Sequence, residues 1–357
     1  MTQTQEPTGL GAQASDRPVG GAQEPAVQDT RREPSPEIRS PETEYGRRAG
    51  IGVWATFGVL GILLSVWAYG NWIASDSFAP VPIQGPDVME PWRLVGIRVL
   101  EVASALVLVA FVWFGIVTPV RRHGRLSLMG KMILGGMVGF VLDAYLNANE
   151  YLFAWNQNNL NTGVWTPWLP LHQDDAPGQY AESFVWGLPM YIYFCAFVAF
   201  FALKTANYLR RRFPNLSRTQ IYVCLFVEAF LFDLIVENII IRTTEAYAYP
   251  ATIGAVTLFP GDQFQYPLTE AFLVALVGLA FTWLHMRASE SPDGRSPVEY
   301  GLDRVPARWR ETVSTLAVIG FCCTILLCVY HVPYGWLNLH ADNFAVLPSY
   351  LLPVGGV

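Results

Sequence analysis

Carboxylic acids and amides recur at helical spacing inside stretches apolar enough to cross a membrane. Asp143, Asn147 and Glu150 stand at i, i+4 and i+7 of one such stretch, which places all three on one helix face. Two carboxyls with an amide between them can divide acid and base work when their surroundings separate their proton affinities. Asp233 and Glu237 repeat the i, i+4 spacing in a second apolar stretch, with Asn238 and Arg242 as another such pair beside them. A charged side chain at the centre of a bilayer costs at least about 2.5–3.5 kcal/mol, so these groups are expected to face a bundle interior or a wet cavity. Proton transfer within a helical bundle is the chemistry that this pattern suggests.

Each constellation also has a structural reading. Asp143, Asn147 and Glu150 could form a hydrogen-bond network at a helix end. Arg242 could neutralise Glu237 or Glu245 and so fix helix packing. Arg98 and Glu101, at i and i+3, read first as a local ion pair. Glu270 follows Pro267 at a helix start, where the helix dipole alone favours a carboxylate, and Glu182 is a weaker case of the same kind. Gly135 and Gly139 make a small-residue face for close helix packing. His172, Asp174 and Asp175 have no second ligand cluster at metal spacing, so no metal site is expected. The connector residues Tyr151, Phe153, Trp155, Trp165 and Trp168 read as belt anchors or as a lid.

The elements that must position these groups are membrane helices. Of 357 residues, 52% are hydrophobic and 15% charged, against about 25% charged in an ordinary soluble domain. The 12 Trp and 16 Tyr suit aromatic belts at the two bilayer interfaces. The net charge of −6 comes with no basic stripe, which argues against nucleic acid as a partner. Cys195, Cys224, Cys322, Cys323 and Cys328 all fall in apolar segments and read as packing residues. Residues 1–48 are polar, Pro-rich and nearly free of aromatics, and read as a disordered cytoplasmic tail rather than a cleaved signal.

An all-α, polytopic bundle of about seven spans is expected over residues 49–335. The spans run Ile51 to Ile73, Leu94 to Val117, Leu128 to Glu150, Phe184 to Thr205, Gln220 to Ile241, Leu268 to Met286 and Val313 to Tyr330. Every second loop is basic, with Arg121, Arg122 and Arg125, then Arg210, Arg211 and Arg212, then Arg304, Arg308 and Arg310. By the positive-inside rule the N-terminus is cytoplasmic and residues 336–357 are extracytoplasmic or interfacial, as suits a multi-pass protein of the cell membrane. That orientation gathers Arg98, Glu101, Asp143, Asn147, Glu150, Glu182, Asp233, Glu237, Asn238, Arg242, Glu270 and His331 in or near the outer halves of the spans. The inner halves are apolar apart from Lys131 and Lys204, which can snorkel, while Glu228 lies near the middle. One polar cavity opening toward the outer leaflet is the expectation.

With these residues assembled, the chain resembles the AveC-like spirocyclase family, the avermectin-type spiroketal cyclases. The resemblance rests on the Pro-rich polar leader and on three stretches. These are Asp143…Asn147…Glu150-Tyr151, then Glu237-Asn238…Arg242 with Tyr247-Ala248-Tyr249-Pro250, then Gln265-Tyr266-Pro267-Leu268-Thr269-Glu270. It spans about residues 50 to 335. It implies closure of a dihydroxy-ketone polyketide to a spiroketal in macrolide antibiotic biosynthesis, and some members also dehydrate the ring. The substrate it implies is a hydrophobic small molecule that partitions into the lipid bilayer, and the chemistry needs no redox cofactor. The residues themselves suggest roles compatible with that chemistry: Asp143 and Glu150 as the acid/base pair, with Asp233 or Glu237 stabilising the cation. In that scheme Asn147 and Asn238 orient hydroxyls, and Arg242, Glu101, Glu270 and Tyr151 complete the substrate site.

Three other readings stay open, one of them a sensor or assembly partner without chemistry, which would tolerate carboxylate-to-amide changes. An integral-membrane terpene cyclase would use the same carboxyls on a prenylated substrate. A transporter would also suit buried acids, although no inverted repeat is visible and the apolar inner halves offer no continuing path.

Overall fold

Helix ends in this protein follow the apolar runs, and prolines decide where the helices deform. The computed structural model describes residues 50–355, so the expected tail, residues 1–48, lies outside the described residues. Seven long helical elements are present: α1 (Ile51–Ile73), α2 (Pro91–His123), α3 (Leu128–Asn147), α4 (Phe184–Arg212), α5 (Arg218–Thr244), α6 (Leu268–Glu290) and α7 (Ala307–Asn338). All except α5 are long and apolar enough to cross a membrane. The helix α5 has 27 residues but carries Glu228, Asp233 and Glu237 and stands outside that set. Six of the seven expected spans are therefore helices long and apolar enough to cross a membrane, and the seventh, α5, falls outside that set.

Pro119 in α2 and Pro333 in α7 each follow a π-helical turn, Val112–Val117 and Leu326–His331. Proline cannot donate to the carbonyl four residues back and its ring crowds that carbonyl, so a widened turn is one way to accommodate it. The last turns of α3 tighten instead, into a 3₁₀ segment over Phe140–Asn147. That tightening ends α3 before Glu150, three residues short of the expected boundary.

The outer surface is apolar along single helix faces. On α2 the exposed residues Val95, Val99, Val102, Leu106 and Val109 are spaced by three and four, and on α5 Val223, Val227, Leu231, Ile235 and Ile239 by four. Such stripes would be penalised in water and suit hydrocarbon. Only 17% of the apolar window of α2 and 22% of that of α1 is buried, against 67% for α3, so α3 is central and α1 and α2 are peripheral.

Glycines set the closest crossing. A Cβ on Gly58 of α1 would lie 2.0 Å from the Leu316 carbonyl oxygen, and one on Gly320 of α7 would lie 2.0 Å from that of Trp54. The α1–α7 pair thus packs backbone against backbone, which only glycine permits. Gly135 and Gly139 of α3 face Cys322 and Leu326 of α7 in the same manner.

At the end away from the basic loops, three connectors interlace into a cap. Strand β1 (Ala154–Trp155) pairs antiparallel with β2 (Tyr247–Ala248), and β4 (Thr257–Leu258) pairs with β5 (Tyr266–Pro267). Strand β3 (Ala251–Thr252) pairs with β6 (Asn343–Phe344), which brings in residues beyond α7. Side-chain amides stitch the pieces: Asn156 donates to the Glu245 carbonyl at 2.7 Å, Asn159 to that of Ala246 at 2.9 Å and Gln157 to that of Leu352 at 2.8 Å. Glu245 caps α5 in the left-handed region (φ 49°), accepts from Tyr350 and Gln263 and forms an ion pair with Arg93.

The aromatic connector is buried within this cap. Phe153, Trp155 and Trp165 are almost wholly covered, and Phe153 stacks on Tyr247 at 4.7 Å while Trp155 packs against Trp186 at the same separation. Protein rings rather than the bilayer interface surround them, so they form a lid, not a belt. Lys131 does not snorkel either. It is buried at the basic end, 3.1 Å from Glu299 and bonded to Ser314.

Candidate active site

Five carboxyls converge beneath the cap. Asp143 comes from the 3₁₀ end of α3, and Glu182 from the connector two residues ahead of α4. Asp233 and Glu237 come from α5, and Glu270 from the first turn of α6. All five are buried, none more than 7% exposed. On α5 the spacing explains it, because Ile221, Leu225, Asp233, Glu237 and Ile241 form the one covered stripe at multiples of four. Glu270 is within electrostatic reach of Asp233 and Asp143, and Glu237 of Asp233, so the five form one group.

The partners of these acids are hydroxyls. Tyr266 donates to Asp233 Oδ2 at 2.8 Å, Tyr249 to Glu237 Oε2 at 2.6 Å and Tyr330 to Glu270 Oε1. Among the described residues, no Lys, Arg or His lies within 4.0 Å of any of the five. Asp143 Oδ2, both Glu182 oxygens, Glu270 Oε2 and His331 Nδ1 are buried without a hydrogen-bond partner. Buried polar atoms are seldom left so, and their convergence marks a place for a ligand.

Asp143 and Glu182 are close neighbours that feel each other's charge, although neither Glu182 oxygen has a hydrogen-bond partner. Carboxylates only accept, so a contact of this kind is favourable when one of the two carries a proton. Burial, followed by the charge of Asp143, pushes the Glu182 carboxyl well above its usual range. The Tyr191 hydroxyl stands beside the pair and 3.0 Å from His331 Nε2. The cluster therefore holds acid, base and hydroxyl groups in a site closed to bulk water.

Several residues expected at the site are placed elsewhere. Glu150 is exposed beyond the end of α3, so it does not join Asp143, and the i, i+4, i+7 face does not form. Asn147 is buried but occupied, donating to the Phe153 carbonyl at 2.8 Å and accepting from the Leu152 and Phe153 amides at 2.9 Å. Glu101 is bound by Arg98 and by the Leu160 amide, tying α2 to the cap. Tyr151 donates to the Leu351 carbonyl at 3.1 Å and accepts from the Trp155 amide. Asn238 donates back to the Leu234 carbonyl along its own helix. Arg242 neutralises neither Glu237 nor Glu245. It reaches the Phe264 carbonyl and lies over the Phe259 ring at 4.4 Å.

Conversely, Glu182 and the tyrosines are stronger members than their sequence context suggested. Tyr180-Ala181-Glu182-Ser183 directly precedes an apolar helix, and a carboxyl in that position is easily assigned to the dipole alone. Tyr191, Tyr249, Tyr266 and Tyr330 read as belt residues until the fold turns their hydroxyls inward. The two described cavities, about 390 and 620 Å³, lie at the basic end, whereas the cap covers the acids where an open mouth was expected.

A bundle with six helices long and apolar enough to cross a membrane, and a carboxyl cluster under an interlaced cap, has the make-up of a membrane protein. The family described as "Spirocyclase AveC-like" matches residues 121–348, and the chain belongs to it. That stretch holds all five carboxyls, Tyr191 and His331, while Glu101 precedes it. No curated protein and no solved structure matches the chain.

Proposed function

We propose that this protein is a membrane-embedded spirocyclase that closes a dihydroxy-ketone polyketide, a macrolide intermediate, to a spiroketal by carboxyl acid–base catalysis without a redox cofactor. The observation that supports it is the group of five buried carboxyls with no cationic partner and with unpartnered oxygens on Asp143, Glu182 and Glu270. A structural ion network would pair such groups. A site that makes a cation leaves them free.

In this reading the pair Asp143–Glu182 moves the protons. Its ionised member takes the proton of the first alcohol as that oxygen bonds to the ketone carbon, and the other member gives its proton to the carbonyl oxygen, which yields a hemiketal and leaves the pair with one proton. The protonated member then delivers its proton to the hemiketal hydroxyl, which leaves as water. The resulting oxocarbenium ion carries one positive charge, which Asp233, Glu237 and Glu270 offset. The second alcohol attacks the cationic carbon and returns its proton to the pair. One water leaves and the carboxyls end as they began. Tyr191, between His331 and Asp143, holds the pair in place.

Dehydration by the same protein would use the same groups, with a carboxylate removing a proton from carbon while an acid expels a hydroxyl as water. In this reading the protein sits in the cell membrane with its N-terminus cytoplasmic and the acids in the outer half, where a lipid-soluble substrate arrives through the bilayer; the basic loops support that orientation.

Chiral liquid chromatography with mass spectrometry on a dihydroxy-ketone precursor tests this, with membranes carrying Glu182→Gln as control. Spiroketals also close unaided, so rate and configuration are the readouts. One stereoisomer formed faster than in the control supports the assignment. Identical mixtures from both membranes overturn it and direct the search to prenylated substrates, for which a carboxyl site walled by Tyr247, Tyr249 and Tyr266 is also chemically suited.

A further inference from the structure

We infer that the cavity of about 390 Å³ at the basic end binds the phosphate headgroup of an anionic phospholipid. Trp54 of α1, Phe321 of α7, Tyr222 of α5 and Trp283 of α6 supply its aromatic lining, with Trp283 and Phe321 6.2 Å apart between ring centres. Its volume is at the small end of ligand pockets, about 300–1,000 Å³. The cavity opens along the seam between the α1–α7 pair and the α5–α6 pair, and the Trp54 and Phe321 rings meet edge to face at 5.4 Å.

The rim of this cavity carries surplus positive charge. Arg218 and Arg287 line it, and both pair with Glu290, at 3.3 and 3.5 Å. Arg210 binds the same carboxylate at 2.8 Å. Three guanidiniums thus share one carboxylate among the described ion pairs, which leaves two positive charges unmatched. The Arg287 and Arg218 side chains are 25% and 66% exposed, so their heads remain available to a second anion.

A headgroup phosphate fits both features. It accepts two parallel bonds from a guanidinium and supplies the missing negative charge. Its glycerol and first methylenes would lie against the aromatic walls, where amphipathic rings are at home at the bilayer interface. A free phosphate satisfies the rim but leaves the aromatic cleft unused, so the occupant that the cavity favours is a lipid. Basic pockets between membrane helices recognise acidic headgroups in this way.

The test is native mass spectrometry of the full chain in detergent, titrated with phosphatidylglycerol, phosphatidylcholine of the same acyl chains, or inorganic phosphate. The wild type is expected to retain phosphatidylglycerol at least about fivefold over phosphatidylcholine. Arg218→Ala with Arg287→Ala should abolish that preference, and Arg211→Ala with Arg212→Ala, an equal charge loss elsewhere on the basic end, should keep it. Glu290→Gln should tighten phosphatidylglycerol retention, an increase that no misfolded variant gives. Equal retention of both lipids by the wild type overturns the inference. So does an equal loss in both arginine pairs, a Glu290→Gln variant that binds no better, or inorganic phosphate displacing phosphatidylglycerol at equal concentration.

Discussion

The Tyr191 hydroxyl and His331 Nε2 share a hydrogen bond of 3.0 Å, with the two rings nearly parallel at 7° and 5.9 Å between centres. The bond joins α4 to α7 across the bundle and sets the hydroxyl beside Asp143. His331 Nδ1 has no partner, so the imidazole is held by this contact and by ring packing with Tyr330. Tyr191→Phe keeps the rings and removes the hydroxyl. It should lower stereoselective turnover by about 10–150-fold, the equivalent of one strong hydrogen bond to a charged group, with little change in melting temperature. Turnover and melting curves on the same purified sample check both halves.

Asp143→Asn and Glu182→Gln should each reduce turnover by about 10²–10⁴, the usual worth of a positioned acid or base. Glu150→Gln should leave it unchanged, because Glu150 is exposed beyond α3. Loss of activity in Glu150→Gln with retention in Glu182→Gln would restore the pairing that spacing alone suggests.

The difference between those two acids shows what was legible in the sequence. The apolar runs gave the helices, and the loop arginines gave their alternation, because both are sums over many residues. Asp143, Asp233, Glu237 and Glu270 stood out because a carboxyl in an apolar run needs a reason. Glu150 did not follow, since a 3₁₀ segment turns in about three residues rather than 3.6 and ends α3 at Asn147. Glu182 reads from its sequence position as a dipole partner of α4, because the cap that buries it is made by contacts between connectors far apart in the chain. The same cap turned Asn147 and Tyr151 from substrate groups into backbone clamps.

Glu101 and Asn147 should affect stability rather than chemistry. Each binds backbone amides of the connector, Glu101 that of Leu160 at 2.6 Å and Asn147 those of Leu152 and Phe153. Glu101→Ala or Asn147→Ala leaves buried donors unpaired, at about 1–3 kcal/mol per group. Lower melting temperature with unchanged KM is the expected pattern, and a raised KM at constant stability would return either residue to the substrate site.

Gly58→Val should break the α1–α7 crossing. The added Cβ would meet the Leu316 carbonyl, a backbone atom that cannot rotate away. Overpacking costs typically about 1–3 kcal/mol and more where backbone must move. Gly52→Val, with nothing within 4 Å of its Cβ position, is the matched control. Comparable melting temperatures for the two variants would refute the close contact.

The basic end should respond to acid through Glu299. Burial raises its carboxyl, but the Lys131 ammonium, the Ser314 hydroxyl and the Ser296 amide and hydroxyl outweigh burial and hold it below the ordinary 4.5. A depressed carboxyl stabilises the fold above its unfolded value and loses that contribution as pH falls through the folded one. Melting temperature should therefore stay level down to about the ordinary value of 4.5 and drop below it. Glu299→Gln should be less stable at neutral pH, since breaking a buried pair costs about 3–5 kcal/mol, and should show a shallower acid drop. Parallel melting profiles for variant and wild type would exclude this origin.

The cap also fixes an order of events during synthesis. Its seams include β6 on β3, the Tyr350 hydroxyl on Glu245, the Tyr151 hydroxyl on the Leu351 carbonyl and Gln157 on the Leu352 carbonyl. Chains emerge N-terminus first, so every helix through Asn338 can be in place while the carboxyl cluster still lacks part of its cover. The cap is complete only when residues 343–352 have left the ribosome and returned to the connectors made some 90–200 residues before, as the separations of those contacts show. A chain truncated after Asn338 would carry every long helix but an unfinished roof.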